Sequence, residues 1–187
     1  MKETETLENL LGMEMSRRNT DLVANLVSQK QELLNPLMEI FLRNENPVSR
    51  RAAWVIDVVS KRFPEQMEPF LHSIVESLPK FQHDGLKRHA LHILYHSQLP
   101  DERDIGILLK ICFDWLISPQ EAVAAKVYCM DMLYRISEFE PAIRQELADS
   151  IEWRLHEETS GFRSHGIKIL KKIKGTQICS LNDVNSV

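Results

Sequence analysis

The sequence has little that would mark it as secreted, membrane-spanning or built around a familiar catalytic loop. No stretch of its 187 residues approaches the roughly 18 apolar residues that a membrane span needs. The N-terminus, M-K-E-T-E-T-L-E, is acidic and lacks an apolar signal core, so no secretion is expected. Cysteine is scarce: Cys112, Cys129 and Cys179 are odd in number and show no Cys-x-x-Cys spacing. That argues against a disulfide framework or a cysteine zinc site and suits reduced thiols in a cytoplasmic protein. There are only 6 glycines, with no Gly-rich phosphate loop, no Gly-x-Ser-x-Gly and no His-Glu-x-x-His. No useful length alternates with period two, so no sheet is expected. No cofactor is implied.

What is present is a helix that recurs. Pro47 to Pro64 reads P-V-S-R-R-A-A-W-V-I-D-V-V-S-K-R-F-P, one helix between two prolines. A shift of 37 residues lays Arg50-Arg51-Ala52-Ala53 on Lys87-Arg88-His89-Ala90, and Ile56 on Ile93. A second shift of 37 lays Ala53 on Val127 and Ile56 on Met130; a further 39 reaches Gly166 and Ile169. Each copy thus has a small or short residue followed three positions later by an apolar one. The spacing keeps the pair on one helix face, and a small side chain lets two helix backbones approach. Repetition at this period marks a solenoid, in which no unit buries its apolar face alone.

The chain then divides into helix pairs: 31–43 with 47–62, 64–79 with 83–98, 103–117 with 119–137, and 140–158 with 160–174. Residues 3–15 and a helix carrying Leu22, Val23, Leu26 and Val27 form an N-terminal cap over residues 1–30, with Asn19, Thr20 or Asp21 capping the second helix. Prolines fall near helix starts or at joints. Residues 1–174 are expected to form one domain, and the polar stretch 175–187 a disordered tail. Trp115 and Trp153 are expected in the core.

These residues resemble HEAT repeats, within the armadillo-like α-solenoids. In that family the second helix of a unit often opens with an apolar residue, then Arg or Lys, then a small residue three further on. Leu86-Lys87…Ala90 and Phe162-Arg163…Gly166 match, and Arg50…Ala53 matches with Ser49 in the apolar place. The third unit, Val123-Ala124…Val127, departs from the pattern. The resemblance covers roughly residues 31–174. It implies an all-α, right-handed α-α superhelix of about ten helices, with first helices on the convex face and second helices on the concave one.

Charge follows that division. The first helices carry −10 in total and the second helices +9, hidden within a net charge of −4. An acidic back and a basic concave face are therefore expected, and a basic wall attracts anions. Arg50, Arg51, Lys87, Arg88, Lys126 and Arg163 sit in first turns, where the helix dipole disfavours cations by about 0.3–1 kcal/mol each. Two roles could offset that cost: holding a phosphate or carboxylate, or, as in HEAT repeats, bonding to the neighbouring unit as an internal ladder. Lys168, Lys171, Lys172 and Lys174 extend the basic set along the last helix.

Trp54 with Asp57, and Tyr128 with Asp131, are aromatic–acid pairs at equivalent register. HEAT-like alkylpurine DNA glycosylases use a similar vocabulary of aromatic, Asp and Arg on a basic concave surface. That resemblance would make Asp57 or Asp131 the carboxylate that stabilises a cationic sugar, with Trp54 or Tyr128 stacked on the lesion and Arg50 on a phosphate. The plainer reading packs both aromatics between repeats and pairs each Asp with a nearby cation. His89, His92 and His96 lie within about 60° on one helix face. His92 and His96 have the spacing to share a zinc ion, but no Glu or Cys in that helix completes a set, so no metal is expected. The leading expectation is a non-catalytic scaffold that holds an acidic protein segment or another anion. The alternative is a nucleic-acid-binding relative of the glycosylases.

Overall fold

The structure, a computed structural model, describes the backbone of residues 2–184 and the side chains of residues 2–175. The helices are α1 (Lys2–Met13), α2 (Arg17–Gln29), α3 (Leu34–Leu42), α4 (Val48–Arg62), α5 (Leu71–Ser77), α6 (Asp84–His96), α7 (Glu102–Ile117), α8 (Val123–Ser137), α9 (Arg144–Arg154) and α10 (Ser160–Val184). The described residues contain no strand. The chain folds as two compact units, Met1–Asp104 and Ile105–Val187.

In the first unit α4 is the central element, packed on α1, α2, α3 and α6. Nine of its fifteen residues are buried, including Ala52, Ala53, Val55, Ile56 and Val59. The small Ala53 and apolar Ile56 are both fully inaccessible, as the i, i+3 pattern requires. The second helices α2, α4 and α6 lie in series, and the first helices α1, α3 and α5 in another. In the second unit α8, α9 and α10 pack on one another. There Gly166 holds the Ala53 position: a Cβ on it would meet Ile151 Cγ2 at 2.8 Å, well inside van der Waals contact.

Several boundaries differ from the sequence reading, each for a local reason. Helix α2 begins at Arg17 because Ser16 is its cap, accepting from Asn19 N–H at 3.1 Å. Asn19 itself ties α2 back to α1 by donating to the Leu10 and Glu14 carbonyls. Leu22 points outward. The first helix of the second pair is broken into a 3₁₀ segment (Pro64–Phe70), the short α5 and another 3₁₀ turn (Leu78–Lys80). Pro69 and Pro79 remove the N–H groups a continuous helix would need. Helix α8 starts at Val123, not residue 119, because Ala122 is extended at ψ 141°. At the end of α3, Asn44 takes the left-handed conformation, φ 60°, and its amide donates to the Lys80 carbonyl at 3.0 Å. Helix α10 runs on to Val184, through most of the stretch expected to be disordered; residues 185–187 lie outside the described residues.

Candidate functional site

The cations of the second helices separate into two groups, and the separation comes from where each helix face points. Arg50 and Arg51 begin α4. Arg50 Nη2 donates to Met15 Sδ at 2.8 Å and Nη1 lies 3.3 Å from His83 Nε2. Arg51 Nη1 donates to the Leu11 carbonyl at 2.6 Å. Both guanidinium groups therefore tie helices of the first unit together. Lys126, in α8, is 2 % exposed and forms an ion pair with Glu158, which also accepts from Arg154 Nη2 at 2.7 Å. Arg154 in turn reaches Glu157. Its two cationic partners hold the Glu158 carboxyl below its usual range against the opposing effect of burial. Lys126 was read as a candidate ligand cation. It is a structural one, because an acid from the turn between α9 and α10 meets it in the interior.

The two aspartates behave alike. Asp57 is 5 % exposed, accepts from His92 Nδ1 at 2.7 Å and His89 Nδ1 at 3.0 Å, and is ion-paired with Lys61 Nζ at 3.3 Å. Burial would raise its pKa, but the hydrogen bonds from His89 and His92 outweigh this, and the carboxyl lies well below the normal range. Burial pushes the His89 imidazole the other way, toward neutrality, against the hydrogen bond to Asp57. The network assigns the tautomer. Arg88 Nη2 lies 3.0 Å from His89 Nε2 and can only donate. Nδ1 therefore carries the proton and gives it to ionised Asp57. In the second unit Asp131 accepts from His165 Nε2 at 2.8 Å, with 22 % of its side chain exposed. A third acid–imidazole contact joins His72 of α5 to buried Asp104 at 2.9 Å.

As a carboxylate for stabilising a sugar cation, Asp57 is misplaced: its oxygens face imidazole donors inside the protein. Asp131 is committed to His165. Trp54 and Tyr128 are half-buried. Lys87, His92 and Tyr128 each have further partners in the structure, and Arg88 is exposed with its guanidinium turned to His89. Trp153, expected in the core, is 64 % exposed, with the Arg154 guanidinium 5.5 Å from its ring. Cys112 and Cys129 are buried; the side chain of Cys179 lies outside the described residues.

The second group of cations lies on α10. Phe162, Gly166, Ile169, Leu170 and Ile173 form its buried face. Arg163, Lys168 and Lys171 lie on the opposite side, exposed, together with the apolar Ile167 at 45 %. These three cations make no side-chain hydrogen bond or ion pair among the described residues. Lys172 lies over the Tyr134 ring at 5.0 Å and Lys174 is 3.8 Å from Glu152. No acidic residue interrupts 160–174. Because α10 continues to Val184, these lysines sit mid-helix, and the favourable field of a helix C-terminus does not explain them.

Among the described residues no group of three or more His, Cys, Asp or Glu side chains is arranged to hold a metal ion. No helix of the described residues is long and apolar enough to cross a membrane. No curated relative and no solved structure matches the chain significantly. A family profile described as a HEAT repeat domain matches residues 7–173, which includes every helix from α2 to α9 and most of α1 and α10. The chain is a member of the HEAT repeat family.

Proposed function

We propose that this HEAT repeat protein is a non-catalytic scaffold that holds an acidic protein segment, and that the outer face of α10 is where it does so. The observation that carries this reading is the division of the cations. Arg50, Arg51 and Lys126 are engaged by internal partners. Arg163, Lys168 and Lys171 remain exposed around Ile167. A cationic stripe with one apolar anchor suits a short acidic segment carrying a hydrophobic residue. Long helical-repeat surfaces commonly serve as protein-binding platforms, which supports a protein ligand over a small molecule.

A duplex is a poorer fit. The candidate cations left exposed without a partner, Arg163, Lys168 and Lys171, lie on one helix, and the net charge of −4 supplies no long-range attraction to phosphates. The carboxylates that would define a glycosylase are engaged by imidazoles. Localisation in the cytoplasm agrees with the cysteine usage and belongs to the same proposal.

The test is fluorescence anisotropy with a labelled acidic peptide of about 15 residues containing leucine, and in parallel with labelled duplex DNA. The full chain should bind the peptide, and Lys168→Glu/Lys171→Glu should abolish the binding while leaving the melting temperature unchanged. Peptide binding that survives the charge reversal, or tighter salt-sensitive binding of DNA, would overturn the reading.

A further inference from the structure

We propose, building on α10 as the binding face, that the acidic surface it holds belongs to a second copy of this chain, whose groove between α1 and α3 receives Ile167 and the cations beside it. One of the two matching surfaces is the stripe on α10. Arg163, Ile167 and Lys171 follow at i, i+4 and i+8, so they fall within about 80° of one helix face and extend over about 12 Å. Ile167, 45 % exposed, therefore has a cation one turn away on either side, and Lys168 lies next to the stripe. Whatever buries Ile167 must present carboxylates on both sides of an apolar contact.

The first unit offers such a surface. A hollow lined by Thr4, Glu39, Leu42 and Arg43 shares three of those residues with a second hollow that also reaches Lys2, Glu5 and Glu8. Together they make one groove between α1 and α3. Leu42 is half-buried and gives the groove an apolar wall. Arg43 is taken up by ion pairs with Glu8 and Glu45. Glu5 on α1 and Glu39 on α3 are exposed and make no side-chain hydrogen bond or ion pair among the described residues. An apolar wall with a carboxylate on each flanking helix is the complement of an apolar side chain between two cations. Lys2 opposes the attraction at one end. Even so, Lys2 and Arg43 against Glu3, Glu5, Glu8 and Glu39 leave the groove side at −2, while residues 160–174 carry +5.

The two surfaces are different patches, so the contact is heterologous. Each copy gives α10 to the next and keeps its own groove open to another, which closes as a ring or extends as a filament. The contact also regulates α10. An acidic segment from any other protein must displace the groove, so its binding takes the assembly apart.

Sedimentation velocity of the full chain at about 0.05 M salt, over concentrations from about 1 to about 200 µM, tests the proposal. The sedimentation coefficient should rise with concentration, and the rise should disappear at about 0.5 M salt. Lys168→Glu/Lys171→Glu and Glu5→Lys/Glu39→Lys should each weaken association by about tenfold or more. An equimolar mixture of the two variants should associate again, because each supplies the charge the other has lost; loss of fold cannot mimic that recovery. A wild-type chain that stays monomeric throughout, variants that associate like the wild type, or a mixture that stays monomeric would overturn the proposal. Titration of the labelled acidic peptide into Glu5→Lys/Glu39→Lys, which leaves α10 intact, scores the binding face separately. Peptide binding there beside a monomeric wild type refutes the second copy alone, and absence of both refutes the binding face as well.

Discussion

Replacing Asp57 with alanine distinguishes a carboxylate kept for structure from one kept for a ligand. The carboxylate accepts from His89 and His92 and is ion-paired with Lys61. Lys61 is 43 % exposed and regains water, so its loss costs little. His92 is partly accessible. His89 is 5 % exposed, and its Nδ1–H would be left with no acceptor, at a cost of about 1–3 kcal/mol. Loss of the charge-assisted bond to His92 adds about 1 kcal/mol. The sum is about 3 kcal/mol, which lowers the melting temperature by roughly 6–12 °C in a protein of this size. Asp131→Ala removes a single bond to His165 at a partly exposed site and should cost about 1 kcal/mol. Urea unfolding of both variants at pH 7.5 measures the difference. A carboxylate held ready to stabilise a sugar cation would behave oppositely, since such sites are held at the expense of stability. If Asp57→Ala were neutral or stabilising, or no worse than Asp131→Ala, the structural role assigned to the imidazole cluster would be wrong.

Other predictions follow from the same contacts. His72 is raised above its ordinary pKa, chiefly by the hydrogen bond to Asp104 and also by Glu76, with Arg103 opposing. A raised histidine contributes stability that is full below about pH 6.5 and lost as pH rises through its folded value; His72→Gln should therefore lower the melting temperature at pH 5.5 and leave it unchanged at pH 9. His89 is lowered by burial, so its contribution has the opposite sign and is lost as pH falls below about 6.5, and His89→Gln should flatten the acid side of the stability profile. Gly166→Val should cost about 2 kcal/mol in thermal unfolding, because its first added carbon already meets Ile151 at 2.8 Å. Lys126→Met should cost about 3 kcal/mol, the low end for breaking a buried pair, since Arg154 still reaches Glu158.

The repeat itself was legible because its signal is local. Ala53 and Ile56 are three apart, and burial of both follows from helix geometry. The proline positions gave most joints, with Pro69 placed near a helix start and Pro79 at a joint. Pro69 and Pro79 instead reduce that helix to α5 with 3₁₀ turns on either side. The alternation of charge between helix types was real, yet it did not disclose which cations were spent. The polar partners lie on the neighbouring repeat: Asp57 pairs with His89 and His92 at separations of 32 and 35, Lys126 with Glu158 at 32, and Asp131 with His165 at 34. Those separations fall two to five residues short of the 37-residue repeat. A search for opposite-charge or acid–imidazole pairs at separations two to five residues below the repeat length would have found all of them. Nothing in the sequence marked Met15 as a partner of Arg50, since that contact depends on how the cap α1–α2 sits over α4.

The most direct test of the central claim is hydrogen exchange of the full chain with and without a saturating acidic peptide. The account predicts slowed exchange of backbone amides in α10 around residues 163–174, with α4 and α6 unchanged. Protection on α4 or α6 with α10 unaffected, or no protection anywhere, would contradict it.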